Sequence, residues 1–315
     1  MRSLSFRTYI VSLIGATLAH GIAMSCASAQ APSSPFQNIA NKDSQQQADN
    51  VQVELIADTT HLVPGRVHRL GIVLTMKDGW HTYWANPGDT GTPTTIVFDL
   101  AEELNTGPVL WPAPERYIAA EGMIVDYVYT DTVVLQVPVF VDPATPTGQR
   151  ITLEGRVEWL ECNDVCIPRM KDIDITLPVA DTTTDIDTRT AELFAASDAR
   201  LPVRASKSAT LSTSWNGNTL IVSSPGAERI SVYPLQPTHP SPIDVATDAS
   251  VDSDTLTLSW PDTLPKGASL TLVVEVEGGP EPGVYGVLVG TDPRLKTVSS
   301  PTQTTSDITQ QSKKE

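Results

Sequence analysis

From residue 51 onward the chain is patterned in short runs with the period of a β-strand. Val51-Gln-Val-Glu-Leu-Ile alternates apolar and polar residues, and Val67 to Met76 does so in part. Thr94 to Phe98 and Thr132 to Val141 are rich in β-branched residues, and Ile151 to Leu160 and Lys171 to Val179 read as two further strands. A period of two places successive side chains on opposite faces, which is what a half-buried strand requires. Turn signals separate the runs at Pro64-Gly65, Asn86-Pro-Gly88, Pro112, Pro114 and Pro143. Several short strands with almost no helical period predict an all-β chain built as an antiparallel β-sandwich over residues 51–182.

One stretch breaks the pattern. Asp187 to Pro202 has a helical composition, with Asp187 or Thr188 placed to cap its start and Pro202 to stop it, so residues 183–204 are expected to form a helical connector packed on the first domain. Strand patterns resume at Thr210–Ser214, Leu220–Ser223, Ile230–Tyr233, Thr255–Trp260, Ser269–Val276 and Gly283–Leu288, with a hairpin signal at Asn216-Gly217. Residues 205–296 are therefore expected to form a second, smaller β-sandwich, without cysteine. Polar, aperiodic segments at 30–50 and 297–315 are expected to be a flexible lead-in and a disordered tail.

The start of the chain has the layout of a secretory signal. Arg2 and Arg7 precede a short apolar stretch from Tyr9 to Ala19, and Ala27-Ser-Ala29 is an A-x-A cleavage site. The apolar stretch is shorter than the ~20 residues a bilayer span needs, so residues 1–29 are expected to be removed and the chain exported, to a periplasm-like compartment. Ala23-Met-Ser before Cys26 lacks the leucine of a lipoprotein signal. The remaining 19 basic and 37 acidic residues carry a net charge of −18. That balance excludes nucleic acid as a partner and disfavours an anionic membrane surface.

Export changes the meaning of the two remaining cysteines. Cys162 and Cys166 lie in Trp159-Leu-Glu-Cys-Asn-Asp-Val-Cys-Ile-Pro168, on a short turn that Pro168 is expected to help close, and an oxidising compartment joins them as a disulfide. Closing so small a ring removes little chain entropy, roughly 2 kcal/mol on the loop model, and small rings are often strained and reducible. Spacing alone leaves a redox-active pair and an inert bridge both open. Metal binding is disfavoured, because Glu161 and Asp164 suit zinc only moderately and His61, His68, His81 and His239 show no ligand spacing. Glu158, Glu161 and Asp164 flank the pair and are expected to oppose a thiolate, so exchange would depend on docking a specific partner.

Two other stretches carry unusual chemistry. Lys77-Asp-Gly-Trp-His-Thr-Tyr-Trp-Ala-Asn-Pro-Gly88 holds two tryptophans, a tyrosine and a histidine on one strand. Alternation turns Trp80, Thr82 and Trp84 to one side, as core, and His81 and Tyr83 to the other. Trp111 to Met123 reads as a proline-bounded loop, either a connection or the cover of a site.

Together the three stretches, with Tyr129-Thr-Asp-Thr-Val-Val-Leu-Gln-Val-Pro138, resemble the N-terminal periplasmic domain of the DsbD-type thiol:disulfide interchange proteins and the related ScsB-type copper-tolerance proteins. The resemblance spans roughly residues 48–180 and implies an immunoglobulin-like sandwich. It makes Cys162 and Cys166 the redox pair, with the N-terminal cysteine favoured for the mixed disulfide with the donor. Tyr83 and His81 match aromatic positions near the pair, and Tyr117 to Glu121, including Ile118, match a cap that shields it. The implied activity is that of a thiol–disulfide oxidoreductase without cofactor or metal. It would take electrons from a membrane-embedded thiol donor supplied in trans and pass them to a thioredoxin-like or other disulfide-bearing periplasmic client. The family's best-known members space their cysteines more widely, and Ile118-Ala-Ala120 stands where an aromatic shield is expected. Two alternatives remain. One is a non-enzymatic exported binding module with a structural disulfide, holding a client at a sheet edge or on the Trp80–Trp84 face. The other is a copper-tolerance accessory protein.

Overall fold

Among the described residues ten strands precede the helix. They are β1 (Val51–Ala57), β2 (Val67–Met76), β3 (Thr82–Gly88), β4 (Thr95–Asp99), β5 (Leu104–Thr106), β6 (Glu115–Ala119), β7 (Ile124–Tyr129), β8 (Thr132–Val141), β9 (Arg150–Cys162) and β10 (Cys166–Pro178). The computed structural model describes residues 49–216, 218–235, 254–259, 269–290 and 298–299. The expected signal segment, nearly all of the lead-in and most of the tail lie outside the described residues.

One layer of the first sandwich is an antiparallel sheet in the order β1-β2-β8-β5. The facing layer consists of β10-β9-β4 and β3-β7-β6, joined where His81 bridges to Cys162. Leu70, Ile72, Leu74, Trp84, Leu135, Leu153 and Val157 fill the space between the layers. This is the all-β antiparallel sandwich the strand pattern implies, immunoglobulin-like as the resemblance implies.

The partial alternation of Val67–Met76 has a physical cause. The helix α1 (Thr188–Arg200) covers the outer face of the first sheet, so β2 is buried on both sides. Phe194 of α1 packs on Ile56, Val73 and Val134, and Gly71 lets it approach, since a Cβ there would lie 3.1 Å from the Phe194 ring and 2.8 Å from Val134. Asp187 caps the helix by accepting from the Thr190 amide (3.0 Å) and hydroxyl (2.7 Å). Leu201 is extended, as the residue before Pro202 must be.

Beyond the helix run β11 (Val203–Arg204), β12 (Ser212–Asn216), β13 (Thr219–Ser223), β14 (Arg229–Pro234), β15 (Thr255–Ser259), β16 (Ser269–Glu277), β17 (Gly283–Gly290) and β18 (Val298–Ser299). They form the sheets β11-β17-β16-β14 and β12-β13-β15, with β18 added to β17. The described residues of the expected disordered tail are thus a strand. Asn216 pairs with Thr219 across the hairpin marked by Asn216-Gly217. Ile230, Val232, Leu272 and Val274 face the core of the second sandwich. Alternation sends Tyr233 and Val273 the other way, into the core of the first sandwich, where Val284 joins them. The sheet containing β14 therefore serves two cores.

Two expectations change. The segment Trp111–Met123 is not an open loop, because Glu115–Ala119 pairs along β7 and Ala120–Gly122 closes the hairpin as a 3-10 turn. Pro168 does not close the cysteine turn. It sits inside β10 opposite Leu160, in a ladder that begins at the cysteines themselves. The residues 163–165 alone form the turn, so the proline sits where its missing N–H costs no pairing on the ladder's open side.

Candidate functional site

The β9–β10 ladder pairs thirteen rungs, from Arg150–Pro178 to Cys162–Cys166. Its last rung is the disulfide, with Cα atoms 4.2 Å apart. The two sulfurs live in different surroundings. Cys162 is 1% exposed, in a small apolar cluster with Tyr83 and Val128, while Cys166 is exposed at the hairpin end.

β3 supplies the wall beside Cys162. His81 exchanges both backbone hydrogen bonds with Cys162, at 2.9 Å each, which sets their side chains on the same face. Tyr83, two residues on, shares that face, and its hydroxyl donates to Cys162 Sγ at 3.4 Å and stands 3.7 Å from Cys166 Sγ. Trp84 points the opposite way and is fully buried, with Trp80 packed against the same core. That face is turned toward the core, with Trp84 wholly enclosed and Trp80 partly so.

A loop after β3 closes over Tyr83. Asp126 of β7 is buried and accepts from the Thr90 amide (2.7 Å) and the Thr90 hydroxyl. This brings Gly91 against the Tyr83 ring, so closely that a Cβ would overlap it, and Gly91 has a φ of +78° that only glycine adopts freely. Asp126, Thr90 and Gly91 escaped the sequence reading. A lone acid in the apolar run Ile124-Val-Asp-Tyr-Val-Tyr129 was the available signal.

The cap residues divide between two faces of β6. Tyr117 lies opposite Asp126 and shares the face of Val128; its ring stacks on His81 with centroids 4.9 Å apart and planes tilted by 32°. Ile118, one residue on, turns to the other face and is exposed. Glu121 is exposed on the hairpin turn, where Ala120 and Glu121 both take left-handed backbone (φ 49° and 57°). Of the matched cap, Tyr117 alone reaches the ring of His81.

The carboxylates also redistribute. Glu161 is fully buried on the face opposite Cys162 and is saturated with donors. It accepts from Arg169 Nε (2.9 Å), the Asn50 side chain (3.0 Å) and the amides of Asn50 (3.0 Å) and Val51 (3.1 Å). It anchors the start of β1 beneath the hairpin and exerts no bare charge on the sulfurs. Glu158 and Asp164 are exposed, where water screens them. Among the described residues no group of His, Cys, Asp and Glu is arranged to hold a metal ion, and no helix is long and apolar enough to cross a membrane.

Burial, opposed by the Asp126 charge, lowers the His81 pKa below its ordinary 6.5. Burial also lowers that of His68, whose Nε2 accepts from the Val63 amide at 2.9 Å. Burial raises the Tyr83 pKa, so its hydroxyl keeps its proton and acts as a donor near neutrality. The two histidines make a pH prediction. Because their folded pKa values are depressed, the stability they contribute is present above about pH 6.5 and is lost as pH falls through the folded values. Denaturant midpoints should therefore fall between pH 7 and pH 5, and His81→Phe, which keeps a ring beneath Tyr117, should flatten that decline. An unchanged slope in the variant would remove His81 from this account.

Residues 47–178 match the family model described as thiol:disulfide interchange protein DsbD, N-terminal. Among solved structures, the chain is similar to the N-terminal periplasmic domain of ScsB from Proteus mirabilis, at 19% identity over 77% of this chain and 94% of that one, with a TM-score of 0.52. It also matches the DsbD N-terminal domain of Neisseria meningitidis in the reduced form, at 17% identity over 43% of this chain and 90% of that one, with a TM-score of 0.26. No curated protein sequence matches the chain. The ScsB likeness extends over more of the chain than the family model does, which carries the likeness of fold past the first sandwich. Residues 47–178 thus match the DsbD N-terminal family model, within a chain whose fold is similar to that of the ScsB N-terminal periplasmic domain.

Proposed function

We propose that this chain is a periplasmic thiol–disulfide interchange module in which Cys162 and Cys166 relay electron pairs from a membrane-embedded thiol donor to disulfide-bearing clients, thioredoxin-like proteins among them. The observation that carries this reading is the asymmetry of the bridge, with one cysteine exposed and the other buried beneath a tyrosine hydroxyl. A donor thiolate attacks Cys166 Sγ, forms a mixed disulfide and displaces Cys162 as a thiolate. The Tyr83 hydroxyl donates to that leaving sulfur. The donor's second thiolate then attacks its own sulfur in the mixed disulfide and releases Cys166. The donor ends oxidised by two electrons, and the pair here ends as a dithiol. The same steps in reverse reduce a client. This assigns the exchanging sulfur to Cys166, where the resemblance favours Cys162, because access governs which sulfur is attacked.

A purely structural bridge fits less well. The strands that the bridge joins are already paired over thirteen rungs, so linking the last rung adds little restraint. The relay role of the neighbouring Tyr83, His81 and Tyr117 belongs to the same proposal, as does the division into an exchange domain (51–182), a helical connector (183–204) and a second sandwich (205–296). Equilibration with glutathione tests the reading. A working couple should show a midpoint above about −300 mV, whereas a value below that marks a structural bridge.

A further inference from the structure

The second sandwich meets the first at strand β6, the same strand that brings Tyr117 to the disulfide site. β6 is an edge, paired only with β7 among the described strands. Its alternate residues serve two sites. Tyr117 stacks on His81, while Arg116, on the opposite face, sits over the ring of Tyr233 with its guanidinium carbon 5.7 Å from the centroid. Arg116 Nη2 also donates to the Val232 carbonyl at 3.5 Å. Tyr233 is itself fixed. It packs edge-on against Tyr127 and Trp84, at 5.9 and 6.3 Å between centroids. Beside it the Asn86 side chain donates to the Pro234 carbonyl at 2.7 Å, tying β3 to β14.

We propose that Arg116 and Tyr233 are positioning residues through which the second sandwich fixes β6, and so sets how closely Tyr117 lies on His81 beside Cys162. An edge strand held by one neighbour is free to shift; a contact on its other face removes that freedom. The left-handed backbone at Ala120 and Glu121 makes the hairpin turn costly to hold without outside support. The second sandwich then has a task in exchange: it supports the cover over the buried sulfur. The consequence for exchange rests on the relay reading, but the support itself does not.

The test uses the full chain carrying Cys166→Ser, so that Cys162 is the thiol left at the site, with an aromatic disulfide as the reagent, and the titration of the His81 ring followed by NMR. In Arg116→Ala and Tyr233→Ala, reaction of the Cys162 thiol should quicken by about tenfold, the order expected for a coupling carried through a few contacts. The His81 pKa should rise toward its ordinary value as the ring opens to water. Tyr233→Phe, which keeps the ring, should behave as wild type. In a Tyr117→Ala background, Arg116→Ala should add nothing further, because both act through one ring. Arg116→Lys is the milder variant should alanine prevent folding; it should move both readouts the same way by less. Wild-type rates and titration in folded Arg116 or Tyr233 variants, or additive effects with Tyr117→Ala, would overturn the inference. Failure of the relay reading would appear instead in the glutathione midpoint of the unmodified protein.

Discussion

Glu161→Ala is expected to destabilise the oxidised protein by about 3–5 kcal/mol, the usual cost of removing one partner from a buried ion pair. For a domain of this size that corresponds to a fall of about 10 °C in Tm. The cost arises on the partners' side. Arg169 would keep a buried charge with its 2.9 Å acceptor gone, and the Asn50 side chain and the Asn50 and Val51 amides would lose theirs too. Because these donors begin β1, the first strand should fray from the hairpin before the core melts. Hydrogen exchange at Asn50 and Val51 would then rise more than exchange in β2. Replacing both members, as Glu161→Leu with Arg169→Leu, should cost less than either single change, since no charge is stranded. Urea unfolding at neutral pH reads all three variants. A loss under about 1 kcal/mol for Glu161→Ala would place it with exposed pairs and contradict its burial.

The same residue shows where the sequence stopped being legible. Glu161 stands next to Cys162, and nearness along the chain suggested a charge acting on the thiols. A strand turns neighbours to opposite faces, however, so the closest carboxylate in sequence is the one directed away from the sulfurs. The strand runs themselves were legible because their apolar residues alternate or, where α1 covers the sheet, run unbroken, and β8 matches its run of β-branched residues end to end. Tyr83 and His81 were legible from alternation along Trp80–Trp84 together with the resemblance. Asp126, Thr90 and Gly91 were not, because their contact joins β7 to a loop 36 residues away, and no local period encodes such a meeting. The segment around Tyr117 was misread as a loop because its prolines dominate the pattern, whereas pairing with β7 draws Glu115–Ala119 into a strand once both have folded. Tyr233 reaches the first core by facing away from the residues beside it in the chain, so sequence alone assigns it to the second sandwich.

The asymmetry of the two sulfurs makes the sharpest functional distinction. In Cys162→Ser the remaining thiol at Cys166 stands exposed, and its thiolate should displace one sulfur from a client disulfide, leaving the other as a thiolate. No neighbouring cysteine is then present to resolve the product, so the mixed disulfide should accumulate and be recoverable from non-reduced extracts of native cells. In Cys166→Ser the remaining thiol lies beneath Tyr83 and beside His81, and capture should fall by at least about tenfold because access limits thiol–disulfide exchange. An aromatic disulfide reagent reports the same difference on purified protein, independently of any client. Adding Tyr83→Phe to Cys166→Ser should not restore capture, since the ring, which keeps its place, is what covers the sulfur. Adding Tyr117→Ala should restore part of it by uncovering the His81 side. Equal or greater capture by the Cys162 thiol would mean that the buried sulfur is the exchanging one, that β6 opens on docking, and that the order of attack proposed above must be reversed.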